Sequence, residues 1–301
     1  GTVVPNASRR KMTVRTTLVR AVSRAAAPEW AARALARMLD CGIRCVGPRK
    51  NVGLLNLARA YPEKDEAQRR EILRGVYRHL TLTAAEYLCL VNHPRSVFDW
   101  VPEVEGEQVL RDLRARGKGA VILSGHFGNW EMLGAWLSHN GYQTEVVARN
   151  PDAPDLSELI DSFRTSVGVK TFDKTVSLKM ILTHVKRGGF VGIMPDQAWS
   201  PVHGIPSMFF GRPCFTAPGP AAVAVLAGVP IVPVAAVRTV PFRHRVIIGP
   251  SFEAEPGDDR DDRIRKTILR VDRTLEGIVR RYPEQWLWLH RRWPRAPGDI
   301  A

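Results

Sequence analysis

The sequence predicts an α/β fold: a largely parallel sheet with helices on both faces, preceded by an N-terminal helical segment. Three observations carry this. From about residue 105 onward, short apolar runs alternate with amphipathic stretches, the pattern of strands joined by helical crossovers. Before residue 100 the apolar residues recur at helical spacing. The chain has 301 residues and is 45% hydrophobic, enough for the core of one large unit.

Taken in order, residues 13–95 read as helical. Within 66–90, Ile72, Leu73, Val76, Leu80, Leu82 and Leu88 recur near helical spacing, and Asn92-His93-Pro94-Arg95 ends the block. A helix is expected over 108–116 and a strand over 119–123. A second helix over 130–138 has Asn129 as its N-cap and Glu131 in the first turn, where a carboxylate suits the helix dipole. A strand over 145–149, helices over 156–167 and 178–186, and a strand over 189–194 follow. A helix over 217–227 runs into a strand over 231–237, and another strand covers 244–248. The closing helix, 261–281, carries Ile264, Ile268, Val271, Leu275 and Ile278 on one face. This divides the chain into a helical, membrane-associating region, 12–100, and an α/β domain, 101–301, within one compact unit.

The net charge of +14 calls for an acidic partner. The excess is uneven: residues 1–50 hold eleven Lys and Arg against two acidic residues, Glu29 and Asp40. Leu18, Val19, Val22, Trp30, Leu35, Met38 and Leu39 lie between those charges, as in an Arg-rich amphipathic helix on an anionic membrane. No uncharged apolar run reaches 18 residues, so a spanning helix is not expected. The concentration of charge before residue 51, without a helix-turn-helix, RNP-type or zinc pattern, argues against a nucleic-acid partner. Cys41, Cys45, Cys89 and Cys214 lack metal-site spacing and read as free buried thiols.

The segment AVILSGHFGNWEML, 120–133, carries the chemistry. An apolar strand ends at Ser124-Gly125, His126 follows, and Glu131 comes five residues later. Positions five apart do not share a helix face, so His126 belongs in the loop before the helix if it is to meet Glu131. Such a loop lies at the carboxyl end of a strand, where open α/β sheets bind ligands. A histidine beside a carboxylate there has the geometry of a general base. Gly125 and Gly128 bracket it and permit close approach of a substrate. Other segments join it: Arg149 after a strand in VVARNPD, Arg164 on the next helix, Asp196 and Gln197 ending GFVGIMPDQ, Gly211 and Arg212 in MFFGRPCF, and the closing YPEQWLWLHRRWP. Trp286 and Trp288 read as core or interface.

Together these segments resemble the bacterial lipid A biosynthesis acyltransferases, the lauroyl/myristoyl transferase group within the lysophospholipid acyltransferase superfamily. The resemblance runs from about residue 12 to 294. Its most specific marks are HFGNWE, with the family's His-x4-Asp/Glu pair at His126 and Glu131, and PEQWLWLHRRW; the FGRP…GVPIVPV block agrees. The mycobacterial phosphatidylinositol mannoside acyltransferases share these marks, so the acceptor stays open. Members of the lipid A group often begin with a hydrophobic membrane helix, whereas this chain is arginine-rich there.

The resemblance implies a membrane-associated O-acyltransferase on the cytoplasmic face of the bacterial inner membrane, peripheral or N-terminally anchored. It would move a fatty acyl group from an acyl carrier protein or coenzyme A thioester to a hydroxyl of a lipid A precursor. Phosphatidylinositol mannosides, glycerophospholipids and amino-acid lipids are alternative acceptors, and a catalytically silent lipid-binding relative is the alternative to an enzyme. The resemblance and the chemistry make His126 the base and Glu131 the group that orients it. Arg149 and Arg164 would bind phosphates, Asp196 would be structural or position the acceptor, and Gly211 and Arg212 would contact substrate. Oxyanion donors are expected among backbone N–H groups of the Gly125–Asn129 loop, near Gly211, or from an arginine. No metal or cofactor is implied. Residues 206–210 would line an acyl groove or lie in the core.

Overall fold

The computed structural model describes residues 21–22, 24–25, 28–147, 154–172 and 177–294. Helix α1, Glu29–Val46, turns Ala32 and Ala36 inward, carries an i,i+4 Glu29–Arg33 pair, and ends at Gly47 in the left-handed region. Helices α2, Lys50–Ala60, α3, Glu66–Asn92, and α4, Ser96–Trp100, follow. The long α3 starts from a reciprocal capping box between Asp65 and Gln68.

The remaining elements are β1 (Glu103–Glu105), α5 (Gln108–Ala115), β2 (Ala120–Leu123), α6 (Trp130–His139), β3 (Thr144–Val147), α7 (Pro154–Ser166), β4 (Lys170–Phe172), α8 (Leu178–Lys186) and β5 (Phe190–Ile193). After them come β6 (Ile205–Phe209), β7 (Arg212–Thr216), α9 (Gly219–Ala227), β8 (Ile231–Val240), β9 (Arg243–Ile248) and α10 (Arg260–Arg281). The main sheet has seven strands in the order β1-β9-β8-β2-β5-β3-β4. All neighbouring pairs are parallel except β8–β9.

The largely parallel sheet is the one expected, and its central strands match the apolar runs. Four strands escaped the sequence reading. Strands β1 and β4 are three residues long, too short for alternation to register. Residues 205–216 form a separate antiparallel hairpin, β6–β7. Its Phe209 and Phe210 are buried in the core while Met208 is exposed, so this segment is core rather than an open groove. Two cysteines, Cys41 and Cys45, are exposed rather than buried.

The sheet separates two apolar cores, and the pleat sends successive residues to opposite ones. Val121, Leu123, Val191 and Ile193 face one core with α8, α9 and α10; Ala120, Ile122 and Phe190 face the other with α6. Helix α3 serves both. Its first half gives Ile72, Leu73, Val76 and Tyr77 to one core, and its second half gives Ala85, Cys89 and Leu90 to the other. Among the described residues, no helix is long and apolar enough to cross a membrane.

Candidate active site

Strands β2 and β5 are adjacent and in register, with Leu123 opposite Ile193. Three residues past that last pair, the two chains place His126 and Asp196 against each other. Asp196 is 2% exposed, and three donors converge on its carboxylate. The His126 backbone N–H reaches Oδ2 at 2.7 Å, the Trp286 indole N–H reaches Oδ2 at 2.8 Å, and His126 Nδ1 lies 3.0 Å from Oδ1. Burial alone would raise the Asp196 pKa, but the imidazole and these hydrogen bonds outweigh it and bring it down to about 2. Burial likewise disfavours the charged form of His126, yet the Asp196 charge and hydrogen bond prevail, with a smaller contribution from Glu131, and its pKa lies above the ordinary 6.5.

The expected direct pairing of His126 with Glu131 is not made. Asp196 occupies the Nδ1 side of the ring, while Glu131, in the first turn of α6, takes a bidentate ion pair from Arg164 of α7. Arg164 Nε lies 2.9 Å from Oε2 and Nη2 lies 2.6 Å from Oε1. Both side chains are about nine-tenths buried. Arg164 is thus engaged with a carboxylate instead of waiting for a phosphate. Arg149 lies outside the described residues. The hairpin tip holds Gly211 and Arg212, but its hydrogen bonds run elsewhere: Arg212 Nε to the carbonyl of Arg59 in α2, and the Phe210 N–H to Glu276 of α10. No hydrogen bond, ion pair or ring contact among the described residues joins Gly211 or Arg212 to His126.

The loop carrying His126 is locked from several sides. Leu287 N–H donates to the His126 carbonyl and Gly128 N–H to the Gln285 carbonyl, so the closing segment runs alongside it. Gly128 has φ +58°, and a Cβ there would come 1.7 Å from the Ala236 carbonyl oxygen of β8. The close approach this glycine permits is therefore to the protein's own strand. Asn129 caps α6 as expected, accepting the Met132 N–H. Three of the loop's five backbone N–H groups are already committed: His126 to Asp196, Phe127 to Gly125 and Gly128 to Gln285. They do not serve as the expected oxyanion donors, because they hold the loop's own shape.

Beneath the loop sits a buried charge cluster that sequence reading missed. Glu86 of α3 is fully buried and accepts from five donors: Arg238 Nε and Nη2, the Phe242 N–H, Asn129 Nδ2 and His244 Nε2, at 2.6 to 3.1 Å. Against its burial, Arg238 and His244 hold its pKa well below the carboxylate range. His79 bonds the Gly128 carbonyl at 3.1 Å through Nε2 and accepts from Arg238 at Nδ1. Burial and the Arg238 charge keep it neutral. Thus α3 and β8 grip both ends of the turn 128–129. A visible signal existed: His79, Thr83 and Glu86 share one helical stripe with Leu90.

Beside His126, whose ring stands 5.3 Å from that of Trp130, a narrow cleft runs between α6 and the ends of β2, β3 and β5. Its walls are mostly apolar, among them Ile122, Trp130, Leu133, Val146 and Ile193; Ser124 and the Glu131–Arg164 pair supply the polar part. The Ser124 hydroxyl is buried there without a partner. The room inside the cleft is about 50 Å3, narrower than an ordinary small-ligand site. Among the described residues no cluster of metal-ligating side chains occurs.

A carboxylate-oriented histidine against the ring of Trp130, which walls an apolar cleft, with no serine or cysteine bonded to it among the described residues, suits direct acyl transfer to an incoming hydroxyl. The model of the family described as "Bacterial lipid A biosynthesis acyltransferase" matches residues 17–295, and the chain belongs to that family. Among its relatives are two Escherichia coli K12 proteins. The "Lipid A biosynthesis palmitoleoyltransferase" is 24% identical over 252 residues, covering 83% of this chain and 80% of the relative. The "Lipid A biosynthesis lauroyltransferase" is 24% identical over 270 residues, covering 87% and 86%. A "Phosphatidylinositol mannoside acyltransferase" of Mycobacterium tuberculosis is 26% identical over 185 residues, covering 60% and 56%.

Proposed function

We propose that the protein transfers a fatty acyl group from an acyl thioester, on acyl carrier protein or coenzyme A, to a hydroxyl of a lipid A precursor at a membrane surface. The observation that carries this is the His126–Asp196 pair, set against Trp130 on the wall of the apolar cleft. The tautomer follows from the pairing: with Nδ1–H donated to Asp196, Nε2 bears the lone pair. The acceptor hydroxyl gives its proton to Nε2 as its oxygen attacks the thioester carbonyl. The C–O bond forms, the C–S bond breaks, and the departing thiolate takes the proton from the imidazolium. Asp196 holds the ring and stabilises the imidazolium, the role first expected of Glu131. Glu131 adds its negative field from a distance and fixes Arg164 on the wall of the cleft. No metal or bound cofactor takes part.

Membrane association is supported by the outward face of α1. Trp30 and Met38 are 75% and 74% exposed, on a helix whose Ala32 and Ala36 face inward, and the chain is strongly basic. That combination suits the boundary of an anionic leaflet, here the cytoplasmic face of the inner membrane.

The test is incubation with acyl carrier protein and coenzyme A thioesters and a bacterial lipid extract, with His126→Ala alongside. Mass spectrometry is expected to find a lipid A precursor gaining one acyl unit with the wild type and none with the variant. Equal gain with both proteins would overturn the role of His126. A gain on a phosphatidylinositol mannoside or glycerophospholipid instead would overturn the acceptor.

A further inference from the structure

The nitrogen that must accept the substrate proton is already occupied. Gln197, the residue after Asp196, places its side-chain amide nitrogen 3.1 Å from His126 Nε2. Because Nδ1 gives its proton to Asp196, Nε2 is an acceptor, and only the NH2 end of an amide can bond it. Gln197 is held to this task by its backbone. Its carbonyl accepts from Arg292 Nη1 at 3.3 Å, and Arg292 is fixed by a buried pair with Asp272 at 2.8 Å. The next N–H, of Ala198, donates to the carbonyl of Arg291. The closing segment thus fixes both residues of the turn: Trp286 on Asp196 and Arg292 on Gln197.

Resting on the reading of His126 as the base, we propose that Gln197 is a positioning residue that caps Nε2 until an acceptor hydroxyl displaces it. The cap answers a problem inherent in the chemistry. Water is a nucleophile of the same kind as the acceptor and far more abundant. If it reached Nε2 with a thioester in the cleft, its proton would pass to His126, its oxygen would bond the carbonyl carbon, and the C–S bond would break, releasing fatty acid and thiol. His126 keeps about a fifth of its side chain exposed, so the ring itself does not exclude water. An acceptor bound by its whole lipid body can displace one neutral hydrogen bond; a lone water has no such surplus.

Two measurements test the cap. The first is the rate of thioester hydrolysis without lipid acceptor, divided by the rate of acyl transfer with it. Gln197→Ala leaves the backbone contacts in place and is expected to raise this ratio roughly tenfold, the equivalent of one neutral hydrogen bond. A ratio within twofold of wild type overturns the proposal. The second needs no activity: the 15N resonance of His126 Nε2 at alkaline pH, where the ring is neutral, identified by its loss in His126→Ala. In Gln197→Ala it is expected to move toward the position of an unbonded lone pair, and an unmoved resonance also overturns the cap. Full transfer activity in His126→Ala would instead defeat the base, and the resonance would still decide the cap.

Discussion

Replacing Asp196 by asparagine isolates the ring-orienting carboxylate. Three donors point at this group, two at Oδ2 and one at Oδ1, and an amide has a single oxygen to offer. With that oxygen at the Oδ2 position, the His126 backbone and Trp286 bonds survive and the amide NH2 faces Nδ1. The imidazole must then turn its lone pair to Nδ1 and carry its proton on Nε2, where a base is needed. A wrong tautomer of this kind costs about 10^4 in kcat in a histidine-carboxylate hydrolase, and a fall of roughly 10^3 to 10^4 is expected here.

Stability falls as well. The Asp196 pKa is lowered from 3.8 to about 2, a stabilisation of about 2 kcal/mol when counted once for the pair. Because the folded-state pKa is the lower one, this stabilisation is present above the unfolded value and is lost as pH falls toward 2. The matching shift on His126 is upward, so the wild-type rate rises with pH through a pKa above 6.5. In D196N the raising charge is gone while burial remains, and the acid limb of the residual activity moves to lower pH. The assay is acyl transfer against pH, with thermal unfolding alongside. A D196N protein keeping more than about a third of wild-type kcat, with its acid limb in place, would refute the reasoning.

Two further outcomes are expected. Glu86→Gln keeps the shape but leaves Arg238 buried without its carboxylate; removing one member of a buried pair costs about 3–5 kcal/mol, a drop of roughly 10 °C in Tm, with a loss of kcat as the 128–129 turn loosens, and an unchanged Tm would show that the cluster is not what holds the loop. Replacing Trp30 and Met38 together by serine is expected to weaken binding to anionic lipid vesicles about tenfold or more, while added salt weakens the wild type; equal sedimentation of both proteins with vesicles would rule out α1 as the contact.

Much of this architecture was legible in the sequence because burial imposes periodicity. Strands β2, β5 and β8 are covered on both faces and read as continuous apolar runs, and α10 announces itself by its stripe of branched residues. The hairpin β6–β7 did not, since glycine and prolines interrupt it and half of each strand faces outward. His126 was found because it follows an apolar strand directly. Its partner was not, because Asp196 reaches it only through the β2–β5 register, and strand adjacency is not written locally. Glu131 sat at the expected spacing, but α6 turns it toward Arg164. Glu86 was hidden by type: a glutamate in a helix normally reads as a solvated position.

The two-sided service of α3 also sets the timing of folding. Glu86 waits for Arg238, 152 residues later in the chain. At ribosomal speeds of about 5–20 residues per second, that interval is roughly ten to thirty seconds. Throughout it, a 27-residue helix stands with apolar faces meant for two cores and a carboxylate without its guanidinium. Of the segments already made, α1 and α2 both pack on α3 and can shield part of it. Removing α1 would therefore cost yield during synthesis as well as the packing of Ala32 and Ala36 in the finished protein.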